Sequence, residues 1–560
     1  MRPADDYRND LYRMKPNVYI GGKKVRRDDP RLQGGIYVIS KTFELADDPE
    51  YKHLLTAKSH LTGKTINRFT HINQSAEDLM TKQEMIRRLC HLVGGCIQRC
   101  MGCDAINALS IVTFAAEMES GTDYHKRFLE YLKEFQERDL VAACAQTDVK
   151  GDRSKRPHQQ EDPDMYVRVV EKRSDGIVVR GAKNCITMSA IADEIIVVPT
   201  RAMTPNDKDY SVAFAVPADA DGVKIVSRTS SFRSPPKELD MPGAKIGDDE
   251  GFIIFDDVFV PWERVFLCGE NKYATLAAYL FALFHRHSYT GCKPASSDII
   301  MGLAALIAEY NGVYDRPNIR QKLVELASVA ELVYAAGIAS AIKGTKTPAG
   351  TFMPNEVYAN VGRRYAGINY YHELDLLAEI AGGLPAALPF PEDFLSDEVG
   401  PLVQKYIKRR SDIKAENVYR CLYAISNVLC SSLGGVLAVA GVHGGGSPVM
   451  EEITIWRTYD FEEKKKIGII KELGISVEGL GKPEVEVEIK EVEQRLEEKT
   501  PLPPYTTDTL LRDANAILKL SAKEAIQIAQ TLFENGLITY HRTDSTRVSE
   551  VGLKLSLIHI

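Results

Sequence analysis

The stretch YVRVVEKRSDGIVVRGAKNCITMSAIADEIIVVPT, residues 166–200, decides the fold class. Val and Ile alternate with polar residues along it, which is the two-residue period of strands with one buried face. Asp175 and Gly176 divide the stretch into two runs and form a typical hairpin signal. The segments SVAFAVPADADGVKIVSR and GFIIFDDVFVPWERVF continue the pattern. A β-rich layer is therefore predicted over about 141–270.

Helical periodicity flanks this layer on both sides. The segment SAEDLMTKQEMIRRLCHLVGGCIQRC repeats apolar residues at three- and four-residue steps, and Ser75 followed by acidic residues is typical of a helix start. Ala- and Leu-rich segments such as QKLVELASVAELVYAAGIASAI predict further helices beyond the strands. We predict an α+β chain with a helical domain at 1–140, a β domain at 141–270 and a helical bundle at 271–475.

Composition excludes several classes of function. The chain has 560 residues, of which 44% are hydrophobic and 26% charged, so it can form several domains around a large core. The net charge of −7 opposes general nucleic-acid binding, which favours a basic face. We find no signal peptide and no run of 18 or more apolar residues, and we therefore predict a cytoplasmic protein without membrane association whose cysteines are reduced.

Two short segments carry the residues of a candidate metal site. CIQRCMGC places Cys96, Cys100 and Cys103 at spacings of four and three, which share one face of a helix. HRHSYTGCK places His285 and Cys292 two turns apart, about 10 Å of helix rise, which a cubane cluster spans more easily than one small ion. Thiolates favour iron–sulfur clusters, zinc or copper. The alternative is that these are packing cysteines and a surface histidine.

Two other cofactor patterns are less consistent with the sequence. CIQRCMGC matches the C-x3-C-x2-C pattern of radical SAM enzymes, whose cysteines lie on a loop after a strand. Here the pattern falls in a predicted amphipathic helix with no strand before it. In addition, no G-x-G-x-x-G follows a predicted strand, so a Rossmann dinucleotide site is not expected.

Two motifs resemble the flavin-binding segments of acyl-CoA dehydrogenases. GAKNCITMSAIADEIIVVPTRA resembles their flavin-contacting strand, which implies that Thr187 lies against the flavin and that Cys185 stands where an aromatic residue is common. EIAGGLPAALP resembles the turn that receives the flavin's pyrophosphate, often across a subunit boundary, because glycines permit close approach to phosphate. The residues of this turn are Ile380, Gly382 and Gly383.

Residues 1 to about 475 together resemble the 4-hydroxybutyryl-CoA dehydratase/vinylacetyl-CoA isomerase family, which is related to the large subunit of 4-hydroxyphenylacetate 3-monooxygenase. The motifs that carry the resemblance are LTGKTINRF, CIQRC, TDVKGDRS, VRGAK, FDDVFVPWERVFLC, HRHSYTGCK, AGGLPAALP and HGGGSP. The resemblance implies an acyl-CoA dehydrogenase-like fold with a β-barrel as its middle domain, usually in a homotetramer. It also implies FAD, a [4Fe–4S] cluster and an acyl-CoA substrate.

The resemblance assigns roles to individual residues. The implied cluster ligands are Cys96, Cys100, His285 and Cys292, which leaves Cys103 as a packing residue. The segment TDVKGDRS would line the flavin and the thioester with Thr147, Lys150, Asp152 and Arg153. The implied catalytic residues are His285 as the base for the α-proton, Tyr289 and Lys293 beside the substrate hydroxyl or the flavin, and Glu250 as a further acid. The plain alternative for Glu250 is a solvated turn carboxylate.

The implied reaction explains this pairing of cofactors. The β-hydrogen of 4-hydroxybutyryl-CoA is not acidic, and the resemblance implies transient one-electron oxidation by the flavin to a ketyl radical whose β-proton is acidic. A cluster iron would act as Lewis acid on the departing hydroxyl. The glutamate that the family carries three residues before the HGxGSP histidine is Ala440 here, and no nearby acid is predicted to replace it. The enzyme alternative is an FADH2-dependent aromatic hydroxylase on the same fold.

Residues from about 476 to 552 resemble type IA topoisomerases and reverse gyrases. In GLITYHRTDSTR, Tyr540 would be the nucleophile that attacks DNA, with Arg542 beside it. Two helices are predicted, one from Thr507 and one from a capping box at Ser521–Glu524 to a stop at Gly536. The fragment lacks the acidic Mg²⁺-binding region, so we interpret it as part of a second gene without topoisomerase activity or functional nucleic-acid binding; a true fusion is the alternative. A DNA-binding protein is the non-enzyme alternative, and 553–560 are predicted to be unstructured.

Overall fold

The computed structural model describes residues 1–468, 506–518 and 520–534. The chain divides into two units, Met1–Phe461 and Glu462–Ile560, and each is described by itself. The first unit contains the β layer and the helices on both sides of it, and the second contains the topoisomerase-like segment.

The first part of the chain is mainly helical. Its helices are α1 (Ala4–Arg13), α2 (Gln33–Asp47), α3 (Lys52–Leu55), α4 (Ala76–Leu92), α5 (Cys100–Ser120) and α6 (Tyr124–Glu137). Its short strands are β1 (Val18–Ile20), β2 (Lys23–Val25), β3 (Thr56–Lys58) and β4 (Thr65–Asn67). The predicted helix start at Ser75 is confirmed, since its side chain accepts a hydrogen bond from the Asp78 backbone N–H at 3.3 Å.

The middle of the chain supplies most of the strands. They are β5 (Ala142–Ala145), β6 (Arg168–Lys172), β7 (Gly176–Thr187), β8 (Glu194–Val197), β9 (Val212–Pro217), β10 (Val223–Ser231), β11 (Gly247–Pro261) and β12 (Val265–Cys268). β6 and β7 pair antiparallel on either side of the turn at Asp175, which confirms the predicted hairpin.

These strands form two open sheets. The six-stranded sheet has the order β2-β1-β10-β11-β7-β6, and the four-stranded sheet has the order β12-β9-β8-β5. Within the residues described, β2 and β6 remain the edges of one sheet and β12 and β5 the edges of the other, so the predicted β-barrel is wrong. The reason is packing: Val179 and Phe255 of the first sheet share a hydrophobic core with Ile195 and Phe214 of the second. Sheets packed face to face bury their apolar sides without closing.

Long helices follow the strands. They are α7 (Asn271–Tyr310), α8 (Pro317–Ile342), α9 (Glu356–Ala381), α10 (Pro391–Leu395), α11 (Gly400–Ile407), α12 (Ala415–Cys430), α13 (Ser432–His443), α14 (Pro448–Thr458) and α15 (Phe461–Gly468). A small two-stranded ribbon of β13 (Thr345–Lys346) and β14 (Phe352–Met353) lies between α8 and α9. α7, α8 and α9 pack on one another, and α4 and α5 also pack on α7.

Two helical stretches, Pro317–Ile342 and Ser432–Thr458, have the length and apolar composition of a membrane span. The first is α8, which packs against α4, α7 and α9, as the core helix of a bundle does. The second contains α13 and α14, which are separated by residues 444–447.

Gly291 brings α4 and α7 into close contact beside the cysteines. A Cβ at this position would lie 2.4 Å from the Gln83 carbonyl oxygen, so Gly291→Ala must push the helices apart. We expect this variant to lose about 1–3 kcal/mol in the free energy of unfolding, as overpacked cores do. Chemical denaturation measures the loss. The matched control is Gly302→Ala on the same helix, where no atom lies within 4 Å. It should gain about 0.5–1 kcal/mol, and equal effects of both changes would contradict the prediction.

Besides most of α15, the second unit contains two further described helices, α16 (Thr507–Leu518) and α17 (Ala522–Glu534). The predicted capping box is confirmed: Ser521 Oγ donates to Glu524 Oε2 at 2.6 Å, and the Glu524 N–H donates to Ser521 Oγ at 3.3 Å. The predicted stop at Gly536, the predicted nucleophile Tyr540 with Arg542, and the tail 553–560 all lie outside the described residues.

Candidate active site

The loop between α4 and α5 carries the first cysteines. α4 ends at Leu92, and Gly94 has a φ of +65°, a left-handed conformation that glycine adopts at little cost. Gln98 is also left-handed, with a φ of +63°, and α5 begins only at Cys100. The prediction that Cys96 and Cys100 share one helix is therefore wrong, because the glycine turn ends α4 early and Gln98 keeps the following chain non-helical.

This loop brings the cysteine side chains to α7. His285 and Cys292 both lie on α7, as their helical spacing predicted. The Cys96 side chain interacts with those of Cys100 and Cys292, and the Cys100 side chain interacts with that of His285. Three thiols and one imidazole, from the loop, α5 and α7, thus lie in the same region of the fold, where Cys100 and His285 are buried and Cys96 and Cys292 are half-buried.

Two other cysteines lie near this group. Cys103 is buried, its Sγ lies 3.9 Å from the Arg68 carbonyl oxygen, and burial raises the pKa of its thiol to about 12. Its hydrogen-bonding contacts are to backbone and amide groups, and its packing role stays a prediction. Cys90 on α4, in contrast, is buried and interacts with the Cys292 side chain. Sequence reasoning missed Cys90, because the only signal for it was its position six residues before Cys96.

Asp104 forms a hydrogen bond with His285, and sequence reasoning also missed this residue. Asp104 lies one turn after Cys100 on α5, and its Oδ2 is 3.0 Å from His285 Nδ1. The possible ligand atoms of Cys100, Asp104 and His285 all lie within 4.8 Å of one another. Burial lowers the pKa of His285, but the hydrogen bonds with Asp104 and Cys100 outweigh it and raise the pKa to about 9. The four-residue spacing of Cys100 and Asp104 was the available sequence signal.

Tyr289 and Lys293 follow His285 along α7. The Tyr289 hydroxyl donates to the Gly441 carbonyl oxygen at 2.7 Å, and the Arg363 guanidinium lies 4.2 Å from the centre of its ring. Lys293 is fully buried in an ion pair with Glu373. The ammonium of Lys293 is thus already engaged by a carboxylate, and its contact with a substrate stays a prediction.

The HGGGSP loop lies against His285 and beside Glu451 of α14. A Cβ at Gly445 would lie 3.3 Å from His285 Cδ2, and a Cβ at Gly446 would lie 3.4 Å from Glu451 Oε1. Glu451 is 0% exposed, its Oε1 is 3.4 Å from Arg286 Nε, and neither carboxylate oxygen accepts a hydrogen bond from the residues described. The turn at the start of α14 thus folds Glu451 inward beside this loop, which makes it a candidate for the acid that is missing at Ala440.

Glu250 lies on β11 opposite Thr187 on β7. The Thr187 hydroxyl donates to Glu250 Oε1 at 2.7 Å. Burial raises the pKa of Glu250 to about 8, although the hydrogen bond from Thr187 lowers it. The negative charges of Asp248 and Asp249 add to the rise. Glu250 is thus a largely buried carboxyl that is protonated near neutral pH, unlike the solvated turn carboxylate of the plain alternative.

Glu250 should make stability depend on pH. The folded protein keeps its proton up to a pH near 8, whereas the unfolded chain releases it near 4.5. Stability from the neutral carboxyl is therefore lost as the pH rises between these values. We expect Glu250→Gln to remove this loss, so that the variant gains stability relative to wild type between pH 5 and 8 in thermal unfolding. Glu171→Gln, an exposed carboxylate whose pKa Arg173 lowers, is the control. If Glu250→Gln gained the same stability over wild type at pH 5 as at pH 8, the prediction would be refuted.

The predicted flavin residues of TDVKGDRS lie on the loop after β5. The Thr147 carbonyl oxygen accepts the Asn184 N–H at 2.9 Å, which fixes this loop on β7 just before Cys185. Asp152 accepts the Ser154 hydroxyl at 2.6 Å and shapes the turn. The remaining side chains, those of Lys150 and Arg153, are exposed cations. Cys185 itself is exposed at a left-handed position with a φ of +54°.

The predicted pyrophosphate turn lies at the end of α9. Gly382 has a φ of +73°, and a Cβ at Gly382 or Gly383 would meet no atom within 4 Å. Ile380 packs in a hydrophobic cluster with residues of α7 and α12. Among the described contacts of this single chain, none joins this turn to the loop at Thr147.

Sequence comparisons agree with this architecture. Residues 4–267 match the family description "4-hydroxyphenylacetate 3-hydroxylase N terminal", and residues 274–468 match its C-terminal counterpart. Residues 454–559 match the family described as DNA topoisomerase. A 4-hydroxybutyryl-CoA dehydratase/vinylacetyl-CoA-Delta-isomerase from Clostridium aminobutyricum is 39% identical over 478 residues, 83% of this chain and 98% of that protein.

Solved structures give the same result. An oxygen-tolerant archaeal 4-hydroxybutyryl-CoA dehydratase from N. maritimus matches with a TM-score of 0.80 and 38% identity, covering 85% of this chain and 95% of that one. The oxygenase component of 4-hydroxyphenylacetate 3-monooxygenase complexed with FAD matches with a TM-score of 0.76 at 23% identity, covering 85% of this chain and 99% of that one, which shows a shared fold.

The fold and the comparisons give first the structural class of the chain and then its family. Helices on both sides of paired sheets place residues 1–468 in the α+β class with an acyl-CoA dehydrogenase-like fold. The chain belongs to the 4-hydroxyphenylacetate 3-hydroxylase family and, within it, to the group of the 4-hydroxybutyryl-CoA dehydratase/vinylacetyl-CoA isomerases.

Proposed function

We propose that this protein dehydrates 4-hydroxybutyryl-CoA to crotonyl-CoA and isomerises vinylacetyl-CoA, with FAD and a [4Fe–4S] cluster as cofactors. The observation that carries the proposal is that the fold brings the side chains of Cys96, Cys100, Cys292 and His285 into interaction with one another. The relatives that are 39% and 38% identical carry the corresponding activity in their names.

The donor set fits an iron–sulfur cluster. Cys96, Cys100 and Cys292 would hold it as thiolates, which are soft ligands, and His285 would be the fourth ligand. Apolar side chains, among them those of Ile97 and Ala295, pack in the same cluster as Cys100 and Cys292. A low-dielectric shell of this kind influences the reduction potential of a bound cluster.

The loop at Thr147 fits an anionic flavin cofactor. Lys150 and Arg153 form no ion pair with any residue that the structure describes, so both cations are available to phosphate or to CoA. Thr187, Cys185 and the backbone at the end of β7 would face the ring system, and Gly382 and Gly383 would approach the pyrophosphate of a neighbouring subunit. The chemistry that the cofactors supply when bound is reversible one-electron oxidation from FAD and Lewis-acid activation of the leaving hydroxyl from iron.

The residues of the chain handle the protons. His285 would hold the cluster through Nε2, because its Nδ1 is held by Asp104, and would accept the α-proton of the substrate at the same atom only when that atom is released from iron. Glu451 serves as the second acid–base group, since it is buried, faces the same glycine loop and has a pKa that burial raises. Glu250 stays protonated near neutral pH and donates a hydrogen bond toward the flavin or the thioester. The Tyr289 hydroxyl, held by Gly441, positions the loop beside His285.

We further propose that the enzyme is a cytoplasmic homotetramer. In one chain, the helical bundle leaves several large apolar side chains exposed, which is typical of surfaces that other subunits cover. They include Val324, Leu332, Ile342, Ile368, Tyr371, Val439, Val449 and Trp456.

Anaerobic purification followed by an assay with 4-hydroxybutyryl-CoA tests the proposed function. We expect flavin, iron and sulfide in the purified protein and formation of crotonyl-CoA. Deleting residues 476–560 should leave the turnover unchanged and should not alter DNA binding, because the topoisomerase-like segment is not expected to contribute. A protein without iron that hydroxylates a phenol with FADH2 would favour the aromatic hydroxylase instead, and DNA binding lost with the deletion would favour the non-enzyme alternative.

A further inference from the structure

A buried polar network connects His285 to two other helices. Asp104 Oδ2 lies 3.0 Å from His285 Nδ1, Asp104 Oδ1 accepts the Ser288 hydroxyl at 2.8 Å, and Lys82 Nζ donates to the same Oδ1 at 3.0 Å. Asp104 is 0% exposed, and Lys82 and Ser288 are each 1% exposed. Helices α4, α5 and α7 thus each contribute one side chain or more to a network from which water is excluded.

The partners of Asp104 leave it little capacity to bind a metal. One oxygen accepts two donors and the other faces the imidazole, so the carboxylate is already satisfied. The Lys82 ammonium, whose Nζ lies 3.0 Å from Asp104 Oδ1, balances the negative charge of the carboxylate. A buried carboxylate stays ionised only when such partners compensate the loss of water. Asp104 is therefore a hydrogen-bond acceptor for His285, and the thiols remain the ligands.

We propose that Asp104 is a positioning residue that fixes the tautomer and the ring orientation of His285 and sets how strongly His285 donates electrons to a bound cluster. This inference rests on the proposed function, because it assumes a cluster on Cys96, Cys100, Cys292 and His285. An Nδ1–H that donates to a carboxylate leaves Nε2 as the free ligand or base, and it raises the basicity of the imidazole.

Asp104→Asn and Ser288→Ala have opposite expected effects on the reduction potential of the cluster. Asparagine keeps the shape but removes the negative charge, so His285 becomes a weaker donor and the potential rises. Ser288→Ala removes one donor to Asp104 Oδ1 without changing any charge, so the carboxylate binds His285 more strongly and the potential falls. A general packing defect would not shift the potential in two directions.

The inference is tested on the anaerobically purified holoenzyme by two measurements. A redox titration followed by EPR gives the reduction potential of the cluster, and the nitrogen hyperfine coupling in the EPR signal reports the bound imidazole. In Asp104→Asn we also expect faster removal of iron by a chelator. Loss of the hydrogen-bond partner of a metal-ligating residue weakens the affinity for the metal about 10–100-fold. The matched control is Asp139→Asn, a buried carboxylate paired with Arg99 at 2.5 Å, which should leave potential and coupling unchanged.

The outcomes separate this inference from the proposed function. A wild-type protein without cluster signals would remove the proposed function itself and with it the basis for a role of Asp104. A wild-type cluster whose potential and nitrogen coupling are the same in Asp104→Asn and Ser288→Ala would overturn the inference alone. An equal shift in Asp139→Asn would overturn it as well, because general charge removal would then suffice. Asp104→Glu, which keeps the charge, should restore part of the wild-type potential.

Discussion

Cys100→Ser should remove the iron–sulfur cluster and with it the dehydration of 4-hydroxybutyryl-CoA. Cys100 lies at the start of α5, and its side chain interacts with those of both Cys96 and His285. Serine replaces a soft thiolate with a hard oxygen donor that binds iron poorly in such a site. Iron and sulfide per chain, measured after anaerobic purification, should fall together with turnover.

Cys103→Ser is the matched control for this change. Cys103 lies on the same helix one turn later and is equally buried, but its Sγ faces the Arg68 carbonyl oxygen and Asn107. A serine hydroxyl can donate to the same carbonyl, so this variant should keep its iron and its activity. Loss of iron in Cys103→Ser, or full iron content in Cys100→Ser, would show that the ligand assignment is wrong.

Glu451→Gln should lower turnover by about 10²–10⁴-fold, the usual contribution of a general acid–base group. Glutamine has nearly the same shape and can keep the contact with Arg286, but it cannot transfer a proton. Iron and flavin contents should therefore remain at the wild-type level while product formation from 4-hydroxybutyryl-CoA falls. This combination distinguishes a catalytic loss from a folding defect.

The neighbouring Glu452 provides the control for Glu451. Glu452 is exposed and forms a surface ion pair with Arg364 at 2.6 Å, a type of contact that is worth about 0–1 kcal/mol. Glu452→Gln should leave turnover unchanged. If Glu451→Gln stayed fully active and Ala440→Glu raised turnover, the acid would belong at position 440 and the assignment of Glu451 would fail.

Several local features could be predicted from the sequence because they depend on neighbouring residues. The cap at Ser75, the capping box at Ser521 and the hairpin at Asp175 are each formed by residues a few positions apart. The shared helix of His285 and Cys292 follows from apolar periodicity in the same way. Short-range spacing carries this information directly.

Other features could not be predicted because they depend on distant contacts or on backbone conformation. The middle strands pair as two open sheets because their apolar faces pack together, which alternation alone does not reveal. The break between Cys96 and Cys100 depends on a left-handed Gln98, which its residue type does not predict. Glu451 reads as a solvated acid in the sequence and becomes buried only when α14 packs on α9.

The sequence by itself determined the α+β class, the family and the residue types of the candidate site, since each depends on local pattern or motif. Only the tertiary structure decided which groups meet. Asp104 and His285 are 181 residues apart, and their contact exists because α5 packs on α7. The roles of Asp104 and Glu451 follow from the burial and partners that this packing creates, because water is excluded there and each charge must find a partner inside the protein.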